Sequence, residues 1–255
     1  MITIKSAADI ERMDAAGRVV ERTLNLLAKT ACPGMRTDEL DEIAAEYIRS
    51  QGATASFLNY HGYPKSICTS VNQQVVHGIP GRYRLKEGDI LSLDVGAKLN
   101  GFQGDAARTV LIGQVDEETQ KLVQVTKECF FAGIREAKAG NRIADVARAI
   151  QAHAESHGYG VVRELVGHGI GRDMHEEPDV PNFWVRQFGH GARLEKGMTI
   201  AVEPMINMGT ANVVQLSDGW TVETADGKPS AHYENTIAIT DGEPRLLTLH
   251  EEEDA

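Results

Sequence analysis

At 255 residues, 42% hydrophobic and 25% charged, the chain has the composition of a soluble globular protein, long enough for one large domain or two fused halves. A formal charge of −11 and a pI near 5.3 give no overall basic field for DNA or other nucleic acid, and no apolar run reaches the length of a signal peptide or a membrane span. Cys32, Cys68 and Cys129 are widely spaced and form no CxxC pair, which argues against a disulfide framework or a cysteine zinc site and fits a reducing cytoplasm.

Ser6 is placed to cap a first helix whose apolar positions Ile10, Met13, Gly17, Val20, Leu24 and Leu27 fall three and four apart, ending before Cys32-Pro33-Gly34. Thr37 is the expected cap of a second helix, with Leu40, Ile43, Ala44, Tyr47 and Ile48 as one apolar stripe and Gly52 as its stop. Next comes the most structured stretch, Leu85 to Gly113. Ile90 to Leu99 reads as a strand, Asn100-Gly101 as a two-residue hairpin turn, and Phe102 to Ile112 as the returning strand.

With Asn100 and Gly101 as the turn, Leu99 pairs with Phe102 and Asp94 with Ala107, which makes Asp94 and Asp105 diagonal neighbours on one face, roughly 7–8 Å apart at the backbone. Asp94 stands among Leu91, Leu93 and Val95, where an unpaired charge is costly, so the hairpin calls for a compensating cation.

The plan then repeats. Asp116 starts a helix carrying Leu122, Val125, Cys129, Phe130 and Ile134, and a further helix carries Ile143, Val146, Ala147 and Ile150 up to Gly158. Gly34, Arg36, Leu40 and Gly52 align with Gly140, Arg142, Val146 and Gly158, and LKEGDILSLD aligns with LEKGMTIAVE, which sets Asp94 opposite Glu203. A strand in SAHYENTIAIT then carries Glu234 as the first half carries Asp105. The expectation is a single domain over 1–255 with pseudo-symmetric halves of about 1–113 and 114–255, each giving two carboxylates to a shared centre.

Four carboxylates can hold two divalent cations, and oxygen ligands with one or two imidazoles suit manganese, iron, cobalt or zinc better than copper. His168, glycine-flanked in Gly167-His168-Gly169-Ile170-Gly171, is the candidate imidazole. His153 and His157 have a metal-capable helical spacing but sit in a polar helix end and read as surface. Glu251, Glu252, Glu253 and Asp254 read as a solvated tail.

These motifs resemble those of the type I methionine aminopeptidases of bacteria, and the resemblance runs from the first helix to about Leu247. It implies an α/β (α+β) pita-bread fold, two related halves forming a curved antiparallel sheet covered by helices. It also implies a cytoplasmic hydrolase that removes the initiator methionine of nascent polypeptides when the next residue is small, through a hydroxide held between two divalent metals. The implied metal ligands are Asp94, Asp105, His168, Glu203 in IAVEP and Glu234 in YENT, with Asp105 and Glu234 bridging. Glu203 would also transfer the proton, His77 would lie near the scissile nitrogen and His175 near the carbonyl oxygen.

The methionine pocket implied by the resemblance is lined by Tyr60, Tyr63, Cys68 and Trp220, an aromatic slot suited to a thioether. Phe57 and Met174 depart from the family pattern, where a cysteine and a phenylalanine are usual. A monovalent cation, sodium or potassium, is implied near Asn72 and Ser230. The expected partners are the N-terminal peptide and the ribosome, with the enzyme itself a monomer. Between Gly209 and Ser230 the single basic residue is Lys228, so that loop offers no basic patch for ribosomal RNA. Two alternatives stay open: a prolidase or aminopeptidase P relative, which usually carries an extra amino-terminal domain, and a pita-bread binding module, which usually loses ligands.

Overall fold

The structure, a computed structural model, describes residues 1–250; the acidic run from Glu251 to Asp254 lies outside the described residues. Helix α1 spans Ala7–Thr30 and is capped as expected, the Ser6 hydroxyl accepting from the Asp9 N–H while the Asp9 carboxylate accepts from Ser6. Helix α2 spans Thr37–Ser50, and its cap differs from the expectation. Arg36 is the cap residue, its N–H donating to the Glu39 carboxylate at 2.6 Å. Thr37 is the first helical residue, and its hydroxyl is committed to tertiary structure, donating to the Gly81 carbonyl at 3.1 Å and accepting from the Gly81 N–H at 2.9 Å.

The strands that matter to the site are β1 (Thr54–Ala55), β2 (Cys68–Val71), β3 (Ile90–Leu99), β4 (Phe102–Leu111), β5 (Gly167–Gly169), β6 (Glu176–Val180), β7 (Thr199–Val202), β8 (Met205–Asn207), β9 (Ser230–His232), β10 (Glu234–Ala238) and β11 (Arg245–Leu246). Over the described residues, nine of them form one antiparallel sheet in the order β1-β3-β4-β10-β7-β5-β6, with β2 added to β3 and β11 to β10. The hairpin register is the expected one: Leu99 pairs with Phe102, Asp94 with Ala107 and Gly96 with Asp105. Asn100 and Gly101 both take positive φ, +50° and +84°, as a type I′ turn requires.

The stretch around Glu234 is not one strand. Ser230–His232 pairs with Met205–Asn207 in a separate small sheet, and only from Glu234 does the chain enter the main sheet. Glu203 sits at the matching break between β7 and β8.

Helices α3 (Glu117–Ile134) and α4 (Ile143–Ser156) complete the covering layer. Val20, Leu24 and Leu40 of α1 and α2 pack on Leu91, Leu93 and Val95 of β3, while Leu122, Phe130, Val146 and Ile150 of α3 and α4 pack on Ile200 and Ile237. Since strand side chains alternate, Asp94 points away from its apolar sequence neighbours, toward the opposite face. Contrary to the expectation, those neighbours do not surround its carboxylate; the walls of a cleft do.

One hydrogen-bond scheme occurs twice. Arg36 bridges Arg84 while the Gly34 N–H donates to Leu85 at 2.7 Å, and Arg142 bridges Arg193 while the Gly140 N–H donates to Leu194 at 2.9 Å. No described helix is long and apolar enough to cross a membrane.

Candidate metal centre

The sheet register assembles the centre. Ala107 of β4 pairs with Asp94 on one side and with Glu234 on the other, so the two carboxylates flank one small residue in a row across three strands. Asp105 lies two residues along β4 on the same face. Its backbone is fixed by Thr236, whose hydroxyl accepts from the Asp105 N–H at 3.1 Å and donates to its carbonyl at 2.9 Å. Glu203 follows Val202, which pairs with Asn235, and Asn182 donates to the Glu203 carbonyl at 3.0 Å.

His168 reaches the same point from β5. Its Nδ1 lies 2.9 Å from the Gly169 carbonyl, which assigns the proton to Nδ1 and leaves the Nε2 lone pair facing Asp105 and Glu203, each 3.7 Å away. The flanking glycine is sterically required: a Cβ on Gly167 would stand 2.4 Å from the Ala201 carbonyl oxygen.

All four carboxyls are driven toward protonation. Burial pushes Asp94 up to about 7. Burial first, and then the neighbouring carboxylates, push Asp105, Glu203 and Glu234 well above the ordinary range. Burial, and then His175, lowers His168 to about 4 and keeps it neutral.

Among the described residues, the ion-pair partners recorded for these carboxylates are imidazoles, not lysine or arginine. Arg108 is close, but its guanidinium donates to the Glu234 backbone carbonyl and the Asn235 Oδ1. Asp94 Oδ1 and Asp105 Oδ1 are buried without a hydrogen-bond partner. Clustered carboxyl donors with orphaned oxygens and a neutral ring aimed among them fit divalent cations, whose charge would hold the carboxyls ionised. Two donor groups of the centre lie close enough to hold an ion, Asp105 with His168 and Glu234, and Asp94 with His232 and Glu234.

The centre lines a cavity of about 420 Å³ whose wall also includes Tyr60, Tyr63, Cys68, His77, His175 and Trp220, so every residue assigned to the pocket from the sequence reaches it. Tyr63 packs edge-on against Trp220 at 5.1 Å, and its hydroxyl donates to the Ile67 and Gly78 carbonyls. Cys68 pairs with Asp94 across β2 and β3, and burial, then the Asp94 charge, pushes its thiol well up, away from thiolate chemistry. His175 lies against His168 with ring centres 4.1 Å apart and planes tilted by 52°, and its Nδ1 lies 2.7 Å from the Tyr60 hydroxyl. Burial, then His175, lowers His77 to about 4.

Phe57 and Met174, the two departures from the family pattern, both close over Gly96, where a Cβ would meet the Met174 methyl at 2.6 Å and the Phe57 ring at 2.8 Å. Phe57 lines the cavity and Met174 is buried behind it. Asn72 and Ser230 are brought together, the Ser230 N–H donating to the Asn72 carbonyl at 2.9 Å. His153 near the end of α4 and its C-cap His157 are not part of the cavity lining; with Glu128 of α3 they form a separate, largely surface group with donors close enough to hold an ion.

The sequence reading missed His61, Val76, Leu165, Val166 and Met205 of the cavity wall, and His232. The apolar members look like core in any sequence. His232 carried a usable signal, since it stands two residues before Glu234, the spacing at which extended chain presents side chains to one side.

Residues 11–241 match metallopeptidase family M24. A methionine aminopeptidase of Clostridium acetobutylicum is 53% identical over 252 residues, which cover 98% of this chain and 100% of that protein. The crystal structure of methionine aminopeptidase from Rickettsia prowazekii is 40% identical with a TM-score of 0.95, covering 98% of this chain and 100% of that one. Prolidase from Pyrococcus furiosus, at 20% identity and a TM-score of 0.78 over 98% of this chain and 66% of its own, shares the fold alone. The expected pita-bread architecture is therefore the one found. The chain belongs to metallopeptidase family M24, among its methionine aminopeptidases.

Proposed function

We propose that this enzyme hydrolyses the amide bond after an N-terminal methionine when the next residue is small, with two divalent ions held by Asp94, Asp105, His168, Glu203 and Glu234. The observation that carries the reading is that Asp94, Asp105, His168, Glu203 and Glu234 all line one aromatic-walled cavity, with Asp94 Oδ1 and Asp105 Oδ1 buried and without a hydrogen-bond partner. Bound there, the ions would acidify a water and polarise the scissile carbonyl.

The side chains do the rest. Tyr60, Tyr63 and Trp220, with Phe57 and Cys68, form a slot for the unbranched thioether. Glu203 takes the proton of the attacking water on its carboxylate and passes it to the leaving amine. His175 takes the tautomer in which Nδ1 accepts from the Tyr60 hydroxyl, 2.7 Å away, so that Nε2–H can donate to the carbonyl oxygen as negative charge develops. His77, on the cavity wall beside Trp220, is assigned to the scissile nitrogen.

The metals in this reading are cobalt, manganese, iron or zinc, and a sodium or potassium ion near Asn72 and Ser230 is supported by the Ser230 N–H donating to the Asn72 carbonyl, which brings the two segments together. The substrate is the N-terminal peptide of a nascent polypeptide in the cytoplasm, supported by the full-length likeness to methionine aminopeptidases. We also read the chain as one domain of two related halves, supported by the paired Arg36–Arg84 and Arg142–Arg193 bridges.

The test is release of methionine from Met-Ala-Ser by apo protein titrated with manganese, iron or cobalt, beside Glu203→Ala. Activity that appears with metal and vanishes in the variant is the expected result. Cleavage of Xaa-Pro peptides in place of Met-Ala-Ser would move the assignment to prolidase chemistry, and absence of metal binding would move it to a binding module.

A further inference from the structure

His232 ends β9 with only 2% of its surface exposed, and it has no part in the mechanism above. Its backbone is clamped by Thr109, whose hydroxyl accepts from the His232 N–H and donates to its carbonyl, each at 2.9 Å. Its ring is different: neither Nδ1 nor Nε2 has a hydrogen-bond partner, although an unsatisfied buried polar group costs about 1–3 kcal/mol.

Nε2 stands 3.8 Å from Glu203 Oε2 and 3.8 Å from Glu234 Oε2. That is too far for a hydrogen bond. It is a separation available to two donors of one cation, since donors each about 2.0–2.2 Å from a shared ion lie at most about 4.4 Å apart. Asp94, His232 and Glu234 each place a donor atom within 4.8 Å of the other two, as Asp105, His168 and Glu234 do. The two groups share Glu234, and each contains one imidazole.

We propose that His232 is a metal ligand, completing with Asp94 and Glu234 the second of the two ion sites as His168 completes the first. The inference rests on the two-ion reading above. Its chemical consequence is selectivity: with His232 bound, neither site is purely oxygen, which favours iron, cobalt or zinc over magnesium or manganese at both positions.

The experiment loads apo wild type, His232→Gln and His232→Leu with cobalt alone, follows binding by calorimetry, and counts imidazoles per ion by cobalt X-ray absorption. Melting without metal checks that the variants fold. The expected wild type holds two ions with one ring each. In His232→Gln one affinity falls at least about tenfold, at or beyond the roughly 10–100-fold seen when a group supporting a ligand is removed, and one ring serves two ions. Two ions sharing one ring in wild type, or affinities and ring count unchanged in the variant, would overturn the ligand role and leave the two-ion reading standing. Fewer than two ions in wild type would overturn both. The wild-type ring count decides the case should a variant not fold.

Discussion

Tyr60 and His175 show what one hydrogen bond can govern. Tyr60 is a wall residue of the cavity, but its hydroxyl also lies 2.7 Å from His175 Nδ1 while the two rings stack at 5.3 Å. The phenol therefore orients the imidazole, and in the tautomer where it donates to Nδ1 the ring proton sits on Nε2, directed at the substrate carbonyl in the proposed mechanism. Replacing Tyr60 by phenylalanine keeps the ring against the substrate and removes only that control. The expected outcome is a kcat lowered about fivefold, the equivalent of one hydrogen bond of about 1 kcal/mol, with KM nearly unchanged. Steady-state kinetics on Met-Ala-Ser separates the two constants; a raised KM with unchanged kcat would make Tyr60 a wall residue and nothing more.

At the scale of elements, α1 is held against the sheet more tightly than its sequence advertises. Gly17 lies mid-helix, where alanine is intrinsically favoured by roughly 1 kcal/mol. Yet a Cβ there would stand 1.7 Å from the Leu247 carbonyl oxygen, and a Cβ on Gly104 of β4 would stand 2.9 Å from the Gly17 nitrogen. The Leu247 backbone cannot yield freely, because its N–H is bonded to the Thr236 carbonyl at 2.9 Å, and Thr236 in turn holds Asp105. Gly17→Ala is thus expected to destabilise, by about 1–3 kcal/mol as overpacked cores do, lowering the midpoint by roughly 2–12 °C at about 2–4 °C per kcal/mol. Thermal unfolding followed by circular dichroism decides the sign: a raised midpoint would mean that propensity wins and the contact is soft.

For the molecule as a whole, what could be read from sequence was what is local or periodic. Asn100-Gly101 and two-residue alternation set the register that brings Asp94 and Asp105 to one face, and the caps at Ser6 and Asp116 are stated by their own neighbours. Thr37 looked like a cap, but its hydroxyl is claimed by Gly81 in a distant loop. The switch of sheets at Tyr233 depends on two strands meeting, which no window of sequence records. The centre itself is the longest-range feature, drawing donors from β3, β4, β5 and the two strand breaks. Until cations arrive, it sets buried carboxylates from distant segments against one another. Metal should therefore bind only the assembled fold and stabilise it by linkage. At about 100 times the Kd the gain is about 2.7 kcal/mol, roughly 5–10 °C in midpoint for a chain of this size. Scanning calorimetry of chelator-treated protein with and without manganese measures it. Asp105→Asn, which weakens the centre on β4 alone, should shrink the shift while leaving the metal-free midpoint equal or higher, since it removes a carboxyl that burial and its neighbours disfavour. A midpoint indifferent to metal in the wild type would mean that these carboxylates do not hold divalent ions together, however closely the strands bring them.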